Sequence, residues 1–245
     1  MSKVGCVVQA RMGSTRLPGK SMLPLAGEPL IYRVLQRLVR IQLFDEIILA
    51  TSIKSENESL IHQANRLGVR TVVGSEDNVA ERFVTSINTF GLDVVVRIPA
   101  DNYLTEYWAI ELLLKKHNEF NYGFTTNIMQ IQNSGYPDGV GGEAFEASEF
   151  LALHSRNCSR DVDEHVHKHF YSYNSTDDFL IRENRVRTCY CPIEYANPQL
   201  RFDINTVEDY HLASKIYADL CDSEGFFGLK EVLGWMEKEN SDNFC

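Results

Sequence analysis

Along the first part of the chain, short apolar runs alternate with stretches whose apolar residues recur at helical spacing. Val4 to Gln9 is a β-branched run ending in a loop that holds Gly13, Pro18 and Gly19, which predicts a buried strand and a binding turn after it. Between Pro29 and Val39, residues Leu30, Ile31, Val34, Leu35 and Leu38 fall on one helical face. Glu46 to Thr51 is a second apolar run, of the kind found in parallel sheets covered on both faces. Asn57 to Gly68 reads as a helix closed by its glycine, Val69 to Val73 as a strand, Asn78 to Phe90 as a helix and Asp93 to Ile98 as a strand. This β-α-β-α-β-α-β order predicts a Rossmann-like, doubly wound α/β fold. Its sheet is mostly parallel with helices on both faces, and its ligand sites lie at the carboxyl ends of the strands.

After Asp101 the pattern loosens. Helices are expected over Glu106 to Glu119, Glu146 to His154 and Val162 to Tyr171, with strands near Gly123 to Thr126 and, at an edge, Arg185 to Cys191. Gly135 to Gly142 is a loop, and Leu200 to Tyr210 reads as a strand running into a helix that continues to about Asp219. No internal repeat, low-complexity segment or linker-like boundary appears, so residues 1–245 are read as one domain.

Composition narrows the function. A formal charge of -10 argues against general nucleic-acid binding, which needs a clustered positive surface. No apolar run approaches the roughly 18 residues of a membrane-spanning helix, and no secretory signal pattern opens the chain, so a cytoplasmic protein without membrane attachment is expected. The cysteines fit neither a disulfide framework nor paired zinc knuckles. Cys189 and Cys191 are half a metal site at most and are read as alternate strand residues.

Against this acidic background, the cations of Arg11-Met-Gly-Ser-Thr-Arg-Leu-Pro-Gly-Lys20 stand out. The loop follows the first strand, where backbone amides, Ser14 and Thr15 hydroxyls and the cations Arg11, Arg16 and Lys20 can surround a polyphosphate. It is neither a Walker A loop nor a G-x-G-x-x-G fingerprint. A solvated surface turn is the competing reading. Asp101, after the strand Val94 to Ile98, emerges at the same sheet edge and is the leading Mg²⁺ ligand, with a helix N-cap as the alternative.

Gln9-Ala-Arg-Met-Gly-Ser-Thr-Arg-Leu-Pro-Gly-Lys20 resembles the opening motif of the SpsF-type cytidylyltransferases, within the acylneuraminate and deoxy-octulosonate cytidylyltransferase superfamily. The similarity continues through Gly74-Ser-Glu-Asp-Asn-Val79, Arg97-Ile-Pro-Ala-Asp101, Tyr136-Pro-Asp-Gly139, Glu164-His-Val166 and Asn205-Thr-Val-Glu-Asp209. It implies a nucleotide-diphospho-sugar transferase-like fold that transfers CMP from CTP to a sugar acid or related acceptor and releases pyrophosphate. Residues implied at the nucleotide are Gln9, Ala10, Arg11, Met12, Gly13, Ser14, Arg16, Lys20, Ser75, Asp77, Asn78, Val79, Arg82, Pro99 and Ala100. Ser75 and Asp77 also suit a helix cap. Implied at the acceptor are Tyr136, Asp138, Glu143, Glu164 and His165, although a structural histidine cluster with His167 and His169 is an equal reading. Helical spacing would put His165 and His169 on one face. Catalysis is assigned to Arg11, Lys20 and Asp101.

Three departures from the family pattern concern the metal and acceptor region. Tyr103 stands at the family's proline, Gly141 where relatives often carry an acid, and Asn205 at the second metal-binding aspartate. Strand alternation places Asp203 on the face of Asn205, so Asp203 is expected to supply the missing carboxylate. A homodimer through the segment 129–143 is implied by the resemblance. The rival functions are a catalytically weakened nucleotide-binding protein, a nucleotidyltransferase for another base or acceptor, and a glycosyltransferase sharing the core.

Overall fold

The computed structural model describes residues 2–53, 55–120, 123–127, 133–156, 164–173, 179–181, 186–223 and 225–242. In chain order its strands are β1 (Val4–Gln9), β2 (Pro24–Leu25), β3 (Glu28–Pro29), β4 (Glu46–Ser52), β5 (Arg70–Gly74), β6 (Val94–Pro99), β7 (Phe124–Thr126), β8 (Glu143–Glu146), β9 (Tyr171–Tyr173), β10 (Phe179–Ile181) and β11 (Val186–Thr188). The helices are α1 (Leu30–Val39), α2 (Glu58–Arg66), α3 (Val79–Phe90), α4 (Tyr107–Phe120), α5 (Ala147–Arg156), α6 (Val207–Leu220) and α7 (Leu229–Asp242).

The main sheet has the order β11-β7-β8-β6-β1-β4-β5. All neighbours run parallel except β8, which is antiparallel to both β6 and β7. Strand alternation divides the core in two. Cys6, Val8, Leu49, Val94, Val96 and Ile98 face the cluster built with α1, α2 and α4, while Val7, Ile48, Ala50, Val72 and Val95 face the cluster of α3 and α5. Helices on both faces explain why these strands read as continuous apolar runs. The expected Rossmann-like architecture is therefore present.

The second half departs from expectation. Of the helix predicted over Val162 to Tyr171, Glu164 is helical, but from His165 the described chain leaves the helix for a 3-10 turn at Val166–His169 followed by β9. Phe170 packs there against Phe124 and Phe145, and β9 pairs antiparallel with β10. Leu200 to Asn205 forms no strand, only isolated bridges from Arg201 to Asp138 and from Asp203 to Asn102. Its partners lie in different loops, so no ladder propagates, while Phe202 is buried against Tyr103. The edge strand shortens to β11, with Arg185 outside the described residues. Strand β8 and helix α7 are additions to the predicted elements. Residues 129–132 of the expected dimer segment lie outside the described residues.

Candidate active site

Strand β1 has β4 on one side and β6 on the other. The chain after β1 proceeds to the β4 side, and that after β6 to the β8 side. The loops diverge and leave a crevice at the carboxyl ends of β1 and β6, the switch point at which open α/β sheets hold ligands. A cavity of about 370 Å³ occupies it, lined by Gln9, Ala10, Arg11, Ser14, Thr15, Arg16, Lys20, Ser21, Arg97, Pro99, Ala100, Asp101, Glu164 and His165. A larger cleft of about 510 Å³ lies beside α1 and the β2–β3 hairpin. Its Arg33 donates to the carbonyls of Leu25 and Ala26, so that cation is engaged in holding the hairpin.

Lysine 20 closes the crevice. Its Nζ donates to Asp101 Oδ2 at 2.5 Å, to the Ile204 carbonyl at 2.7 Å and to Asn205 Oδ1 at 3.4 Å. The 3-10 turn Lys20–Met22 sets its direction, and Gly19, at φ 70°, supplies the left-handed residue that admits this turn. Asp101 stands before α4, which begins at Tyr107, so the helix-cap alternative for it falls. Its carbonyl instead accepts from the Ile204 amide at 3.1 Å, joining the loop after β6 to the segment before α6.

That segment is placed by close backbone contact. Gly139 has φ 85°, and a Cβ there would lie 2.4 Å from the Phe202 carbonyl carbon. The Phe202 amide donates to the Asp138 carbonyl at 2.8 Å. Asp138 and Asp203 thus come side by side, with Arg201 Nη2 3.3 Å from the first and 3.1 Å from the second. Burial and the Asp203 charge raise the Asp138 carboxyl above its ordinary range, while Arg201 pulls the other way. Asp203 Oδ1 also accepts from Arg201 Nε at 3.3 Å, and Oδ2 accepts from Asn205 Nδ2.

The opposite wall is a chain of polar contacts. Met12 N donates to Asn57 Oδ1 at 2.9 Å, Asn57 Nδ2 donates to Ser52 Oγ at 2.6 Å, and Ser52 Oγ donates to Glu76. Glu76 lies 3.6 Å from Arg11, which is also 3.6 Å from Glu164. Arg82 is buried beneath this wall and donates to the Ala50 carbonyl at 3.3 Å. Burial lowers its pKa to about 10, against the opposing pull of Glu76. Gly74 makes room for it, since a Cβ there would meet Arg82 Cγ at 2.9 Å.

Among the expected nucleotide residues, Gln9, Ala10, Arg11, Ser14, Arg16, Lys20, Pro99 and Ala100 line the cavity. Met12 and Gly13 sit in the loop behind it, Gly13 beside Glu76. Asn78 caps α3 by accepting from Glu81 N at 2.8 Å, and Ser75 Oγ accepts from Asn78 N at 3.1 Å. Cap chemistry is thus present at Ser75 and Asn78. Val79 is buried against the core, and Asp77 does not line the cavity.

Of the acceptor candidates, Glu164 and His165 reach the cavity, whereas Tyr136 is wholly buried, with its ring 5.8 Å from Trp108. Glu143 is also buried, 2.5 Å from Arg97. His165 precedes the 3-10 turn, and His169 packs edge-on against Phe150, so the two do not share a helical face. Burial holds His167 near a pKa of about 4.

Two departures acquire structural causes. A Cβ at Gly141 would fall 1.9 Å from Asn127 Oδ1, so the Asn127 amide fills the space of a side chain there and bonds Gly142 N at 2.7 Å. Tyr103 fills the core between Phe202 and Tyr217. Sequence reasoning assigned no role to Arg97, Arg201, Asn57 or Glu76. Arg97 carried a readable signal, a charge inside the apolar run of β6, and it reaches Gln9 Oε1 at 3.0 Å as well as Glu143.

The cytidylyltransferase family matches residues 5–227. The chain belongs to that family. An uncharacterized protein of Methanocaldococcus jannaschii, MJ1063, is 32% identical over 243 residues, covering 96% of this chain and 91% of that one. The spore coat polysaccharide biosynthesis protein SpsF of Bacillus subtilis is 29% identical, over 89% and 87% of the respective chains. A cytidylyltransferase structure from Leptospira borgpetersenii superposes with a TM-score of 0.82 at 25% identity, covering 98% of this chain and 96% of that one. The protein is an enzyme of the CTP-transferase superfamily, one that moves CMP from CTP. Among the described residues, no helix is long and apolar enough to cross a membrane.

Proposed function

We propose that this cytidylyltransferase is of the SpsF type and transfers CMP from CTP to a sugar acid or related hydroxyl acceptor. The product would be a precursor of surface polysaccharide or glycoconjugate. The observation that carries the reading is Lys20, which reaches from the loop after β1 to Asp101 and Asn205 across the crevice. Arg11, Arg16 and Lys20 line the cavity, where they would hold the triphosphate and compensate the charge of departing pyrophosphate. Glu164 and His165 also line it and would meet the acceptor. The relative named for spore coat polysaccharide supports the pathway class.

Magnesium belongs to the same proposal. Among the described residues no group of three or more His, Cys, Asp or Glu side chains is arranged for a metal. The donor set nevertheless fits a hard cation, because a carboxylate, a backbone carbonyl and an amide oxygen already converge on the Lys20 ammonium. Asp101 would be the principal protein ligand, completed by Asp203 or Asn205 and by phosphate and water oxygens. When bound, the ion would neutralise charge on the α- and β-phosphates. A homodimer through residues 129–143 completes the reading, and sedimentation velocity tests it.

Pyrophosphate release should be measured with each of the four triphosphates and Mg²⁺ against a panel of sugar acids. CTP with an acid acceptor is expected to give the fastest release and the largest thermal shift. A larger shift with UTP or GTP would overturn the base. Nucleotide binding without release on any acceptor would favour the weakened protein.

A further inference from the structure

An amide in a ligand position has a property that a carboxylate lacks: only one of its two terminal atoms can bind a cation. At Asn205 the backbone is already fixed, since its amide donates to Asp209 Oδ2 at 2.9 Å inside the capping box that starts α6. What remains is rotation about the last side-chain torsion, which is broad and roughly two-fold for asparagine. Asp203 decides it. Its Oδ2 accepts from Asn205 Nδ2, and this turns Asn205 Oδ1 toward the Lys20 ammonium. Both groups are largely buried, so water competes weakly for either atom.

We infer that Asp203 is a positioning residue, which holds the single carbonyl oxygen of Asn205 toward the cation position beside Asp101. Asp203 is ill placed to be a ligand itself. Both its oxygens are engaged, Oδ1 by Arg201 Nε and Oδ2 by Arg201 Nη2 and the Asn205 amide. Lys20 meets Asp101, Ile204 and Asn205 in this arrangement. The inference rests on the proposal that a divalent cation takes the place near Asp101. It settles which of the two neighbouring side chains contributes the second oxygen.

The symmetry of the two groups supplies the test. A carboxylate at position 205 presents oxygen whichever way it turns, so it needs no Asp203 to orient it. Mn²⁺ affinity should be measured by electron paramagnetic resonance of the free ion, with α,β-methylene CTP bound, for wild type, Asp203→Ala, Asn205→Asp and the double variant. Asp203→Ala alone should weaken Mn²⁺ binding by on the order of tenfold, as loss of a group that orients a metal ligand does. In the Asn205→Asp background the same change should move affinity less than about twofold, so the pair is non-additive. Asp203→Asn, which keeps an acceptor for Nδ2, should retain most of the affinity even if Asp203→Ala folds poorly, and melting curves identify that case.

Equal losses in both backgrounds would make Asp203 a direct ligand and overturn the inference. No loss in either background would also overturn it. Wild type that takes up no Mn²⁺ at all would remove the cation itself, a failure of the underlying proposal that is distinguishable from the other two.

Discussion

The two halves of the crevice are built by different means. On the β1 side, side chains are aimed by strand ends: Gln9 ends β1, Ala10 follows it, and the loop to Lys20 leaves it directly. On the far side, Asp138, Asp203 and Asn205 sit on loops without ladders, located by the contact of Gly139 with Phe202 and by bridges to Asn102 and Arg201. A strand end tolerates local change because the sheet fixes it from both sides. A crossing of two loops depends on a single close approach. The first half should therefore fail in chemistry and the second in structure.

Lys20→Ala tests the first half and should have the largest effect. Loss of a preorganised cation beside the phosphates is expected to slow pyrophosphate release by about 10²–10³-fold, with the melting temperature little changed. Arg11→Ala and Lys20→Ala should each weaken CTP binding by roughly 2 kcal/mol where the contact is desolvated, and titration calorimetry checks this. Unchanged affinity in both variants would remove the phosphate-loop reading.

Gly139→Ala tests the second half. Left-handed backbone alone costs about 1–3 kcal/mol for a non-glycine residue, and the backbone of Phe202 blocks the added Cβ. Denaturant midpoints should fall, and protection of the 200–205 amides in hydrogen exchange should fall first. An effect on turnover with no loss of stability would contradict the contrast. The smallest effect is expected from Thr206→Ala, which removes the cap of α6 just behind Asn205. It should cost about 1 kcal/mol and loosen Mn²⁺ binding only slightly.

The same contrast explains what was legible in the sequence. Val4 to Gln9, Glu46 to Thr51 and Asp93 to Ile98 announced themselves because both faces of each strand are buried, and apolar content alone reveals such strands. Lys20 and Asp101 followed, since each sits just beyond a readable strand. Leu200 to Asn205 alternates apolar and polar residues like a strand, but Asp203 and Asn205 are buried as well as Phe202 and Ile204, and alternation does not tell whether a ladder forms. Strand β8 was hidden behind Gly141 and Gly142, whose lack of side chains is required by Asn127 and by Ile98 and the Arg97 carbonyl. Glu76 and Asn57 were invisible as site residues because their partners, Arg11 and Met12, lie far along the chain.

Those last contacts have a kinetic consequence. Met12, Asn57, Ser52, Glu76 and Arg11 form a circuit that leaves the loop after β1 and returns to it one residue away. A segment tied at both ends of such a circuit has given up its freedom during folding, before any nucleotide arrives. Capture of the triphosphate should then proceed in a single exponential phase whose rate rises linearly with nucleotide concentration. In an Asn57→Ala variant the circuit is open, the loop must be gathered after encounter, and the observed rate should level off at high concentration.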